Sequence, residues 1–376
     1  MCGESMSNIS KTVWDLEPHT KAKHEILRRY LRAWFPIMSK WNGRILYIDG
    51  FAGPGAYSKD EPGSPLIAIN AAKEHTLKLD AELVFWFIEA RKDRCEHLKE
   101  LLSKEELPAN IKYEVECSKF DESLTALFDA LDEQGKRIAP TFAFIDPFGY
   151  SDTPFHVIER IMKNDKCEVL ITFMSGFLNR FKSDSHKENA FDMLFGTTEW
   201  REIILDSSSD GKSDEKKFVY FYQNRLESVA KYVRTFEMIN RVNQPIYHLI
   251  FGTNSIKGLK EMKRAMWEVD RTGMYRFSDM TDPHQTTLFE PEPNYQELKK
   301  MIVNKFKGTT ATIEEIEEFV VIETPFRETH FKQKILKKME YANPPEIEIV
   351  DTNRGRRGTY PPGTVIRFLS NKMEIG

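Results

Sequence analysis

The sequence predicts a doubly wound, mostly parallel α/β sheet followed by a small winged-helix-like domain, and three observations carry that expectation. Short apolar runs alternate with amphipathic helical stretches through residues 1–277, the pattern of strands covered on both faces by helices. Two of those runs close in an acidic turn, Ile45-Leu-Tyr-Ile-Asp-Gly-Phe-Ala-Gly-Pro-Gly55 and Thr141-Phe-Ala-Phe-Ile-Asp-Pro-Phe-Gly-Tyr150, as buried parallel strands do where they open into functional loops. The alternation then stops, and three short helical segments lead into a hairpin with a basic tip, the order of a winged helix.

The first element is a helix over Pro18–Met38, where Ile26, Leu27, Tyr30, Leu31 and Trp34 recur at helical spacing. Strands are expected at Arg44–Ile48, Leu83–Ile88, Lys112–Val115, Thr141–Ile145, Glu168–Phe173 and Ile246–Phe251. Helices separate them at Pro65–His75, Asp93–Leu102, Ser123–Gln134, Pro154–Lys163, Lys216–Tyr232 and Ser255–Val269. The segment 179–217 is long and polar, with the low-complexity run Asp206-Ser-Ser-Ser-Asp-Gly-Lys-Ser-Asp214, and is expected as an inserted lid. Prolines and lost periodicity mark 278–294 as a linker. Residues 295–376 then carry helices at Tyr295–Phe306, Ile313–Val320 and Glu328–Glu340 and a hairpin of Ile347–Asp351 with Thr364–Leu369.

Composition narrows the class without naming a partner. The formal charge of −4 is close to balance, but Arg327–Arg367 holds nine Lys/Arg against five Asp/Glu, so the C-terminal part suits a polyanion better than the rest. Cys2, Cys95, Cys117 and Cys167 are scattered, with no Cys-x-x-Cys and no His at ligand spacing, so reduced thiols and no metal site are expected. The N-terminus lacks a signal-peptide core and no apolar run of about 18 residues exists to span a bilayer; the cytoplasm is the expected compartment.

Asp49-Gly-Phe-Ala-Gly-Pro-Gly55 lets a ligand approach the backbone, through Gly53 and Gly55, beside an acid that orients polar groups. It lacks the Gly-Lys-Ser/Thr signature of a phosphate loop, and a purely structural βα turn is the alternative. Glu89 ends the next strand, where a carboxylate accepts from both ribose hydroxyls; capping the following helix is its other reading. Asp121, after the third strand, is placed either to bind an adenine amino group or to cap a helix. Asp146-Pro-Phe-Gly149 is the sharpest signal: a carboxylate and turn carbonyls accept from an exocyclic amine and aim its lone pair, while Phe148 or Tyr150 stacks on the ring. His19 and Lys23 share one helical face, a solvated cationic face or a contact to a ligand carboxylate or phosphate.

In this order, Asp49 to Gly55, Glu89, Asp121 and Asp146 to Gly149 resemble the motifs of class I S-adenosylmethionine-dependent methyltransferases. Asp146-Pro-Phe-Gly149 is similar to the Asp-Pro-Pro-Tyr of DNA amino-methyltransferases and to the Asp-Pro-Phe-Gly of tRNA guanine-N2 methyltransferases. Over nearly its full length the chain resembles the bacterial three-Cys-motif partner (TcmP) family, on Glu17-Pro-His-Thr-Lys-Ala-Lys-His24, Tyr47 to Gly55, Phe144 to Gly149, Tyr247-His-Leu-Ile-Phe-Gly-Thr253 with Ala265-Met-Trp267, and Arg357-Gly-Thr-Tyr360. The resemblance implies S-adenosylmethionine as cofactor, with Asp49, Phe51, Gly53 and Gly55 at its methionine part, Glu89 at the ribose, Asp121 at the adenine, and His19 and Lys23 covering it. Asp146 and Pro147 would take the acceptor nitrogen. Phe148 stands where Asp-Pro-Pro-Tyr has its second proline and Gly149 where it has tyrosine, so stacking falls to Phe148 or Tyr150. The resemblance also implies a radical-SAM-like partner whose cysteines give the family its name.

In the second domain Lys334, Lys337 and Lys338 on the third helix and Arg354, Arg356 and Arg357 at the wing put positive charge where a winged helix meets a duplex. A solvated helix or a protein-binding face is the bland alternative, and Glu314, Glu315, Glu317 and Glu318 oppose generic binding. The leading expectation is a methyltransferase for a nucleic-acid base nitrogen, DNA or RNA. The others are methylation of a protein or partner-delivered substrate, and a nucleic-acid-binding scaffold without turnover.

Overall fold

The computed structural model describes residues 12–149, 152–181, 184–205, 214–280, 292–351 and 353–369. They form two compact units, Met1–Ala265 with Arg276–His284, and Met266–Tyr275 with Gln285–Gly376. Most of the expected linker, residues 281–291, lies outside the described residues.

In the first unit, helix α1 (Pro18–Ser39) precedes an alternating series: β1 (Arg44–Asp49), α2 (Ser64–Lys73), β2 (Glu82–Ile88), α3 (Lys92–Leu102), β3 (Ile111–Glu116), α4 (Phe120–Glu133), β4 (Thr141–Ile145), α5 (Phe155–Met162) and β5 (Glu168–Phe173). Four helices follow, α6 (Ser175–Phe181), α7 (Glu188–Phe195), α8 (Arg201–Leu205) and α9 (Asp214–Glu227), then β6 (Tyr232–Ile239), β7 (Pro245–Thr253), α10 (Ile256–Val269) and β8 (Arg276–Ser278). The sheet runs β3-β2-β1-β4-β5-β7-β6-β8. The first five strands pair in parallel and β7 lies antiparallel between β5 and β6, which is the strand arrangement of the class I methyltransferase fold. Every residue of β4 and β5 is buried, so these strands read as largely apolar runs because helices cover both faces. The chain reverses its direction of winding between β1 and β4, and a doubly wound sheet opens its ligand crevice at the C-terminal ends of such a pair. Asp49 ends β1 and Asp146 directly follows β4.

Three expectations change. Residues 232–239 form β6 where the expected helix ran through Tyr232; the helix ends at Glu227, and Phe236 and Met238 turn inward on a period of two. The described part of 179–217 is helical and buries Phe191, Leu194, Phe195 and Trp200 in the core, so it is packed structure; its polar tip, 206–213, lies outside the described residues. The expectation of four reduced thiols is corrected by a disulfide between Cys95 on α3 and Cys117 after β3, 22 residues apart. Bonding a loop of that length stabilises the fold by about 3 kcal/mol in the chain-entropy model. Sequence separation hid the pair because neighbouring βα units bring the two segments together.

The second unit carries α11 (Tyr295–Phe306), β9 (Thr310–Thr312), α12 (Ile313–Glu323), a π-helical turn at Lys332–Leu336 that continues into α13 (Lys337–Tyr341), and β10 (Ile347–Asp351) with β11 (Val365–Phe368). Its antiparallel sheet is ordered β10-β11-β9. Thr312 and Glu315 form a reciprocal capping box that fixes the start of α12. Among the described residues no helix is long and apolar enough to cross a membrane.

Candidate active site

The glycine turn after β1 is shaped by what surrounds it. Gly53 and Gly55 have φ of +63° and +85°, the left-handed region that costs other residues free energy. A Cβ on Gly55 would lie 2.6 Å from Leu98 Cδ1, and one on Gly50 would lie 2.5 Å from Phe120, so α3 and α4 press directly on the turn. The result is a cleft lined by residues 51–57, His24, Gly63 and Ser64, with Trp14, Asp146 and Phe148.

Of the expected acids, Asp146 lines it, and Asp49 and Glu89 are bonded to the turn that forms it. Asp49 is fully buried and accepts from the Phe51 N–H at 3.3 Å and the Tyr47 hydroxyl at 3.5 Å. Burial pushes its carboxyl up to about 7, opposed by a hydrogen bond from Ser64 and reinforced by Asp146 and Glu89. Glu89 is also buried; it accepts from Gly53 N–H at 2.9 Å and Arg91 N–H at 2.7 Å, tying the β2 end to the glycine turn. Each carboxylate oxygen has a second lone-pair site, so Glu89 supports the turn and keeps acceptor capacity beyond it. Asp121 lies in the first turn of α4, and its buried Oδ1 has no hydrogen-bond partner among the described residues; an acceptor left unsatisfied in this way costs free energy.

Asp146 lines the cleft beside the buried Pro147. Lys23 Nζ donates to its Oδ2 at 2.5 Å and lies 5.1 Å from the centre of the Tyr247 ring. Tyr247 in turn donates its hydroxyl to the His19 carbonyl at 3.1 Å, and the His19 ring sits between Glu17 at 2.9 Å and Asp279 at 3.0 Å. His19 and Lys23 thus belong to one bonded network with Asp146 and Tyr247. Beside Lys23, burial and that lysine's charge push His24 down to about 3, so its imidazole is neutral at physiological pH.

Phe148 is 48% exposed and, with Trp14, flanks the Arg94 guanidinium at 4.9 and 4.5 Å. Tyr150 lies outside the described residues. Trp14, Tyr57, Ser64, Arg94 and Asp279 escaped the sequence reading. Trp14 stood alone in a polar N-terminal stretch, yet its carbonyl accepts from Ser58 N–H at 2.9 Å and its ring meets Tyr57 and Phe148 at 5.8 and 5.4 Å. Aromatic contacts of this kind join segments that sequence spacing does not relate.

In the second unit Lys334, Lys337, Lys338, Arg356 and Arg357 are exposed. Arg354 is instead 16% exposed and pairs with the buried Glu340 at 2.7 Å. Glu340 also accepts from the Tyr360 hydroxyl at 2.7 Å and Gly358 N–H at 3.1 Å, while Arg357 donates to its backbone carbonyl and stacks on Tyr341 at 4.4 Å. One buried glutamate thus anchors the base of the wing.

Residues 276–353 match the family model of the GMT-like wHTH domain. No curated protein matches the chain. Among solved structures the chain is similar to Trm1 from Pyrococcus horikoshii in complex with S-adenosyl-L-methionine, at 12% identity over 95% of this chain and 92% of that one, with a TM-score of 0.34. It is similar to an O-methyltransferase from Bacillus cereus in complex with SAH at 12% identity, 66% and 86% coverage and a TM-score of 0.34. A Porphyromonas gingivalis protein described as a methyltransferase aligns at 11% identity over 59% of this chain, with a TM-score of 0.28, and only 40% of that protein's length is spanned. Likeness at this level carries no weight for substrate or chemistry; the fold class rests on strand order and on the winged-helix match.

Proposed function

We propose that the protein is an S-adenosylmethionine-dependent methyltransferase that modifies an amino or ring nitrogen of a nucleic-acid base in the cytoplasm, with the winged helix as its nucleic-acid anchor. The observation that carries this reading is the convergence of Asp146 with the glycine turn on one cleft at the sheet's switch point, with Glu89 bonded to that turn. The donor set fits the cofactor. Asp49 and the Gly53–Gly55 backbone suit its cationic methionine part, Glu89 a ribose, and the unsatisfied Oδ1 of Asp121 an adenine amine. When bound, the cofactor supplies an electrophilic methyl group. Asp146 accepts a hydrogen bond from the acceptor nitrogen and orients its lone pair, Pro147 stiffens the turn, and the exposed Phe148 ring offers a stacking face. The resemblance to three-Cys-motif partners adds a companion protein to this proposal.

Labelled methyl transfer from S-adenosylmethionine to mixed RNA and DNA tests it. Asp146→Ala is expected to lower transfer by roughly a hundredfold or more while S-adenosylhomocysteine affinity stays within about threefold. Parallel loss of both would assign Asp146 to the cofactor.

A further inference from the structure

Lys23 is bonded to Asp146, which lines the cleft. Its side chain is 6% exposed, and its ammonium is held between the Asp146 carboxylate and the Tyr247 face. Tyr247 is fixed through the His19 carbonyl, and His19 is clamped by Glu17 and Asp279. An ammonium gripped in this way is part of the standing structure and is not free to swing toward a ligand in the cleft. Asp146 Oδ1 accepts from no group among the described residues, while Oδ2 is taken.

We propose that Lys23 is a positioning residue that neutralises and orients Asp146 and thereby restricts the acceptor to an uncharged nitrogen, such as the amine or ring N–H of a nucleobase; this rests on the methyltransferase reading above. A carboxylate already matched by a lysine offers one oxygen for a hydrogen bond but no net charge to attract a second cation. A protonated lysine or protein amino terminus entering the cleft would meet a neutral pair, whereas a neutral base loses nothing by it. The pair also removes one negative charge from the cleft, which favours the approach of a phosphate-bearing chain.

The test compares wild type, Lys23→Met and Lys23→Arg in the full-length protein. S-adenosylhomocysteine binding is measured by calorimetry, and methyl transfer is measured to mixed tRNA and DNA and to polylysine. Lys23→Met is expected to bind S-adenosylhomocysteine within threefold of wild type. Its kcat on nucleic acid should fall at least a hundredfold with KM little changed, and its nucleic acid to polylysine preference should fall at least tenfold. Lys23→Arg should recover nucleic-acid kcat to within tenfold of wild type. An unchanged kcat, an equal loss on both substrates, or loss of S-adenosylhomocysteine binding in step with activity would overturn the role of Lys23 alone. A wild type that binds no S-adenosylhomocysteine, or binds it and transfers to neither substrate, would overturn the methyltransferase reading and this role with it.

Discussion

Asp49 shows how a single residue couples the cleft to stability. Its carboxyl is raised from 3.8 to about 7 by burial, with Ser64 opposing and Asp146 and Glu89 adding to the effect. Between those two pH values the folded protein holds a proton that the unfolded chain has released, so stability falls as pH rises through this window and stays low above it. A rise of that size corresponds to about 4 kcal/mol. Asp49→Asn should remove most of this dependence: its thermal midpoint should exceed that of wild type at pH 8, and the gap should close toward pH 4. Superimposable midpoint curves for the two proteins would mean that Asp49 is not the group responsible. Asp49 itself was legible because it ends an apolar run before a glycine turn, as Asp146 was before Pro-Phe-Gly. Lys23 was legible as a helix-face cation but not as the partner of Asp146, because 123 residues separate them and no local pattern pairs a helix before the sheet with the end of its fourth strand in sequence.

At the scale of elements, strands buried on both faces were the most readable, and Thr141–Ile145 and Glu168–Phe173 have the bounds expected of them. Short or half-buried strands were lost: β8 and β9 have three residues each, too few to show a period. The third helix of the winged unit was expected over Glu328–Glu340, and its first turn is instead π-helical, with Leu336 N–H bonded to the Phe331 carbonyl at 2.9 Å. The wing arginines differ from one another in the same unit. Arg356→Ala combined with Lys337→Ala and Lys338→Ala should weaken nucleic-acid binding and reduce its salt slope by roughly one for each phosphate left without its cation. Arg354→Ala should chiefly destabilise the unit, by roughly 2 kcal/mol, because it strips a charged partner from the buried Glu340. Titration over salt concentration and thermal melting separate the two effects; an undiminished slope in the triple variant would remove this face from the nucleic-acid interface.

For the whole molecule, strand order and the winged helix give two parts, one holding a cleft lined by the glycine turn and Asp146 and one carrying exposed cations around a buried anchor. Their order along the chain was readable because the alternating pattern ends at a proline-rich stretch. The disulfide was not, since Cys95 and Cys117 meet only once α3 and β3 are in place. On the proposed reading, the first part holds an adenosyl cofactor between the glycine turn, Glu89 and Asp121. Calorimetric titration of S-adenosylhomocysteine into wild type, Glu89→Ala and Asp121→Ala measures this most directly. Micromolar binding to wild type, weakened at least tenfold by each substitution in proteins that still melt cooperatively, is the predicted result. A well-folded wild type that binds no S-adenosylhomocysteine, or equal binding in all three proteins, would rule out a cofactor site at these residues.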